Sequence, residues 1–117
     1  MNAYTQSINL QGVWRDSTSR TDFILNLNQN GFNLSGNHIS IQQNGKKIDA
    51  PDDPNMVTIT GVINNQTEII VNFISQFSNT SGTAKITIIN AAEIKWEIIN
   101  KPSGEYYIPI LCILKKE

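Results

Sequence analysis

The fold this sequence predicts is all-β: an eight-stranded antiparallel barrel in up-and-down (meander) order. Three observations predict it. Ile and its apolar neighbours recur at every second position, the period of a strand, and no eleven-residue window shows apolar spacing of i, i+3, i+4 and i+7 that alternation does not describe better. The apolar residues are rich in β-branched types, which crowd a helix and suit a pleated surface. Asn, Gly and Pro gather between the runs, where hairpin turns need residues tolerant of positive φ or of a fixed bend.

Along the chain these signals give strands at about Gly12 to Asp16, Asp22 to Asn28, Phe32 to Gln43, Met56 to Ile63, Thr67 to Ser75, Thr80 to Ile89, Glu93 to Ile99 and Tyr106 to Lys115. Asn30-Gly31 is expected to form a tight turn with two positive φ values. Asn64-Asn65, Asn90-Ala91-Ala92 and Lys101-Pro102-Ser103-Gly104 supply further turns. One connection is long: after Asn44-Gly45, the proline-broken stretch Lys46 to Asn55 is expected to be the most mobile part. Short links make each strand pair with its sequence neighbour, and strands so paired curl until the first meets the last, leaving no open edge.

The 117 residues make one barrel domain, 1–117, with 1–10 expected as a flexible N-terminal segment. Hydrophobic residues at 39% and charged residues at 16% supply a core and lack the charge excess of a disordered chain. The net charge is -1 and the nine Lys and Arg are scattered, so no electrostatic footprint for nucleic acid is present. Cys112 has no second cysteine to pair with, and with His38 as the sole histidine there is no Cys/His set for zinc. The longest apolar stretch, Ile108 to Leu114, contains Pro109 and falls far short of the roughly 20 residues of a membrane-spanning helix, so no membrane span is expected. Met1 to Ser7 have neither the basic start nor the apolar middle of a secretory signal, and the compartment stays open. Phosphate-cradling Gly loops, carboxylates paired at hydrolase spacing and Ser/His/Asp sets on strand ends are all missing, so neither an enzyme nor a cofactor is expected.

Alternation sorts the two faces of each strand. Inward fall Trp14, Phe23, Leu25, Leu27, Leu34, Ile59, Val71 and Phe73, then Ala84, Ile86, Ile88, Ile94, Trp96, Ile98, Leu111 and Ile113. The same phase turns Asp16, His38, Ser40, Ser78 and Thr80 inward, clustered toward one barrel end. Polar groups so placed need partners, and line a network, a wet mouth or a ligand pocket. Opposite in phase lie Ile39, Ile41, Ile70, Ile74, Ile89, Ile99, Ile110 and Leu114, with Cys112, which leaves the third and the fifth to eighth strands apolar on both sides. Such strands want cover on both faces, so a homodimer or higher homo-oligomer through the outer face of strands five to eight is expected.

Gly12-Val13-Trp14, followed by Leu34-Ser35-Gly36-Asn37-His38, Thr80-Ser81-Gly82 and Trp96, resembles the strand signatures of the avidin and streptavidin group within the calycin barrels. The resemblance implies a closed barrel with the Trp of Gly12-x-Trp14 beneath it, covered by a basic side chain of the last strand, for which Lys115 is the expected residue. It also shows departures. Where that group places tryptophans against biotin, this chain has Phe73 and Thr80, leaving Trp96; the acidic position of the last strand falls near Leu111, and a Tyr position falls on His38. Asp16 stands for an Asn, and Ser40 matches a Ser. Biotin binding is therefore not expected.

Two functional readings follow. In the first, a non-catalytic barrel holds a small organic ligand in a mouth lined by Asp16, His38, Ser40, Phe73, Ser78, Thr80 and Trp96. In the second, the interior is filled and the outer face or the Lys46 to Asn55 loop recognises another protein, as an inhibitor or immunity-type partner would.

Overall fold

The structure, a computed structural model, describes residues 9–16, 22–42 and 45–117. Its strands are β1 Gly12–Asp16, β2 Asp22–Asn30, β3 Asn33–Gln42, β4 Lys47–Asp49, β5 Ile59–Val62, β6 Glu68–Ile74, β7 Ser81–Asn90, β8 Glu93–Asn100 and β9 Leu111–Lys116. Every pairing is antiparallel, and β1 pairs with both β2 and β9, which closes the wall. Eight strands in up-and-down order form the barrel, and the three-residue β4 is an extra piece on the outer half of β3. No helix of the described residues is long and apolar enough to cross a membrane.

β3 is longer than any one neighbour can cover on its second edge. Asn33 to Gly36 pair with β5, and Ser40 to Gln42 pair with β4, so the wall changes partner midway along this strand. The sheet is tight here: a Cβ on Gly36 would lie 1.9 Å from the carbonyl oxygen of Asn26, so only glycine fits against β2. The β2–β3 hairpin corrects the expected turn. Asn30 ends the strand opposite Asn33, and the loop residues are Gly31 and Phe32, with a positive φ of 64° at Gly31 and none at Asn30. Glycine in the first loop position is what a type II′ hairpin requires.

The barrel is packed by side chains. Trp96 stands at the centre, with Phe23 at 5.2 Å and Phe73 at 5.5 Å between ring centroids, both tilted as aromatic edges prefer. One end is closed by Trp14, whose Nε1–H donates to the Leu10 carbonyl at 3.0 Å. Leu10 is itself buried, although it falls in the segment expected to be flexible; residues 1–8 of that segment lie outside the described ones. The cation over the Trp14 ring is Lys116, 5.6 Å from the centroid, and not Lys115.

That one-residue shift belongs to a larger correction. β9 begins at Leu111, not Tyr106, because the preceding stretch is bonded irregularly: Trp96 Nε1–H donates to the Pro109 carbonyl at 3.0 Å and Ile98 N–H to that of Ile110 at 2.8 Å. Ile110 and Leu111 are both exposed, so alternation restarts one residue out of step. Cys112 and Leu114, expected outside, are buried in the core, whereas Leu111 is 58% exposed and Ile113 only half-buried. The rest of the inward set is buried, with Ile88 partly so, and Leu10, Ile63, Ile69 and Ile108 join it.

Truncating the two faces of β9 separates the phases. Leu114→Ala should cost about 2–5 kcal/mol in urea unfolding, the usual range for a core leucine. Leu111→Ala should stay within about 0.5 kcal/mol of the parent, as exposed positions do.

Candidate functional site

A polar plug closes the other barrel end, where β1, β3, β6 and β8 finish and β2, β5, β7 and β9 begin. Its centre is Asp49. The β3–β4 register sets Asp49 opposite Ser40, so the short strand delivers its carboxylate to the inner side of the wall. The side chain is completely buried. Oδ1 accepts hydrogen bonds from His38 Nε2–H at 2.9 Å and from the Gln76 amide at 2.7 Å. Oδ2 accepts from the Ser75 hydroxyl at 2.6 Å and the Tyr107 amide at 3.1 Å. A carboxylate offers about four lone-pair sites, and here each has a donor.

His38 carries the network across the barrel. Its Nδ1 lies 2.8 Å from Thr58 Oγ1, which also accepts the His38 backbone N–H at 3.2 Å. In the neutral imidazole, Nε2–H donates to Asp49 and the Thr58 hydroxyl donates to Nδ1, so both ring nitrogens are satisfied. An outer tier adds Ser40 Oγ–H and Gln42 Nε2–H, which donate to the Tyr107 carbonyl at 2.5 Å and 2.9 Å. Asp49 thus ties together β3, β4, the end of β6 and the segment that leads into β9.

Burial alone would raise the Asp49 carboxyl above the ordinary aspartate range. The hydrogen bonds from His38, Ser75, Gln76 and Tyr107 together outweigh it and hold the group below that range. Cys112 goes the other way: burial, with the Asp16 charge adding to it, pushes its thiol up to about 12, so it is an inert packing group at neutral pH.

The expected site residues separate into three groups. His38 and Ser40 belong to the plug. Phe73 and Trp96 belong to the aromatic core, and both have zero accessible surface. Because that surface is what a water-sized sphere can touch, no void large enough for water adjoins either ring. Asp16, Ser78 and Thr80 are half-buried at the same barrel end. Ser78 Oγ and Thr80 Oγ1 are 2.7 Å apart, and Thr80 accepts the Gly104 amide at 3.1 Å, a turn-bracing pair beside the plug.

Asp49, Thr58 and Ser75 were missed. Ser75 was legible, since it continues the inward phase of Val71 and Phe73. Asp49 and Thr58 were not: the first sits in the stretch expected to be a mobile loop, and the second lies just before β5 where alternation fails. Thr58, His38 and Asp49 have the contacts of a hydroxyl, a base and an orienting carboxylate, but all are at most 2% exposed, so a substrate atom has no approach to the hydroxyl. No family model, curated protein or solved structure matches the chain.

The sign of the pH dependence follows from the lowered Asp49 group. Its contribution is present above the unfolded aspartate value, about 3.9, and is lost as pH falls through the lower folded value. Asp49→Asn places an amide donor against existing donors and leaves buried donors unsatisfied; it should cost about 1–3 kcal/mol at neutral pH, the scale for an unsatisfied buried polar group. Urea unfolding from neutral to acid pH should show a shallower acid loss in the variant than in the parent.

Proposed function

We propose that this protein is a non-catalytic binding barrel that works from its outer surface, as a protein-interaction module with a filled interior. The observation that carries this reading is the zero accessible surface of Phe23, Phe73 and Trp96, together with the saturated polar plug above them. A ligand in the mouth would have to break that plug and displace rings already packed on one another. The outside offers more. Ile70, Ile99, Ile110 and Leu111 are exposed on β6, β8 and the lead into β9, and the Ile70, Lys85, Glu97, Leu111 register places mixed charges between them. An apolar surface with paired charges suits a protein partner, and the simplest partner is a second copy about a two-fold axis.

Kinship with the avidin group of calycins belongs to the same proposal. It is supported by the closed up-and-down barrel, by Gly12-x-Trp14 with a basic residue over the ring, and by Gly82 packed against Phe73. The loss of the aromatic box argues that the scaffold was kept and the interior site was not.

Sedimentation of the full chain should show a dimer or larger species, and Ile110→Asp combined with Leu111→Asp should return it to monomer with its far-UV spectrum unchanged. Trp96 fluorescence should not respond to a panel of small organic ligands. A strictly monomeric chain whose Trp96 emission is quenched saturably would favour a ligand in the barrel mouth instead.

A further inference from the structure

The connection that leaves β4 crosses the outside of the β2–β3 hairpin without lying flat on it. Between them is a groove of about 200 Å³ whose floor is Asn26, Asn28, Ser35 and Asn37, and whose other wall is Asn55, Met56 and Val57. The floor residues are cross-strand neighbours, Asn26 opposite Asn37 and Asn28 opposite Ser35, so their side chains stand side by side on one face. Asn37 holds the roof: its Nδ2 donates to the carbonyls of Pro54 at 2.9 Å and Met56 at 3.2 Å, while its Oδ1 accepts from Asn26 Nδ2 at 2.9 Å. That leaves the Asn26 side-chain Oδ1, the Ser35 hydroxyl and the Asn55 carboxamide with hydrogen-bonding capacity that the described residues do not fill. A second chamber of about 120 Å³ continues past Asn37 and Pro54 to Asp52, Pro51 and Ile39.

The lining selects a ligand by chemistry. Among the described residues neither chamber is lined by Lys, Arg or His, so phosphate, sulfate and carboxylate ligands meet no counter-charge there, and Asp52 opposes them. A wholly apolar ligand would strip water from the floor amides without replacing their bonds. An extended peptide has no ladder to join, because the floor is the face of paired strands and not an edge. What fits is a neutral molecule whose groups each donate and accept, matching the adjacent oxygen and NH₂ of a carboxamide. Vicinal hydroxyls do this. The larger chamber has the volume of about six or seven waters at about 30 Å³ each, the scale of one sugar ring, and Met56 and Val57 give the ring's C–H face an apolar wall.

We propose that this groove is a saccharide site: one neutral pyranose ring lies between the Asn26/Asn28/Ser35 floor and the Asn55 to Val57 wall, with a linked substituent directed toward Asp52. The site is independent of the outer apolar surface on β6, β8 and β9, so either can fail alone.

The test is a nuclear magnetic resonance titration of the ¹⁵N-labelled full chain with the methyl glycosides of glucose, galactose, mannose and N-acetylglucosamine, with acetamide as the control for nonspecific amide contact. At least one glycoside should give saturable shifts at millimolar concentration, confined to the side-chain amides of Asn26, Asn28, Asn37 and Asn55 and the Gly36 amide. Ser35→Ala with Asn55→Ala should weaken binding roughly tenfold, while the remaining spectrum and the thermal midpoint stay those of the parent. Asn55→Ala alone, on an exposed loop, provides the same comparison if the double variant unfolds. Absence of saturable shifts with all four glycosides, equal shifts with acetamide, or undiminished binding in the variants would overturn the assignment.

Discussion

One buried carboxylate fixes this molecule's architecture at the barrel end. Asp49 draws donors from β3, from the two residues after β6 and from the segment before β9, parts of the chain that share no strand pairing with β4 other than through β3. A carboxylate out of water is tolerated only when its lone pairs are filled, and here the donors can fill it only if the four segments are in place together. The cost of burying the charge is thereby turned into a geometric condition on the end of the barrel. It also explains why β4 exists at all: three residues of pairing are enough to hold Asp49 at the correct register opposite Ser40.

The plug and the aromatic core divide the interior between them. Below, Phe23, Trp96 and Phe73 fill the cylinder by shape; above, hydrogen bonds fill it by valence. An eight-stranded barrel is just wide enough to be filled by side chains or to hold one small ligand, and this one takes the first course. In the proposed reading recognition falls to the outside, where strand faces and the connection over the β2–β3 hairpin present chemistry that a filled interior cannot.

Much of this was legible because parity is a strong signal wherever a strand is regular. Phe23, Leu25 and Leu27, or Val71 and Phe73, announce an inner face with no reference to anything else in the chain, and short turns then dictate the order of pairing. The signal failed where the backbone departs from regular extension. Pro109 has no amide hydrogen, and with the Trp96 indole bonded to its carbonyl the chain loses step, so Cys112 and Leu114 exchanged sides with Leu111 and Ile113. Asp49 was hidden for a different reason. Its partners come from sequence separations of 11 to 58 residues, and nothing local marks an acidic residue between Ile48 and Ala50 as the hub of such contacts. Composition suggested a mobile loop there, while tertiary hydrogen bonding made it an anchor.

Native-state hydrogen exchange of the Gln76 and Tyr107 amides tests the role of Asp49 most directly. Both lie in irregular segments without strand partners, yet both end on the buried carboxylate. They should exchange only with the slowest core amides of β6 and β8, by whole-molecule unfolding, and should become fast in Asp49→Asn while the β7–β8 hairpin stays protected. Rapid exchange of either amide in the parent protein, at the rate of an exposed loop, would contradict the claim that this end of the barrel is held shut by one carboxylate.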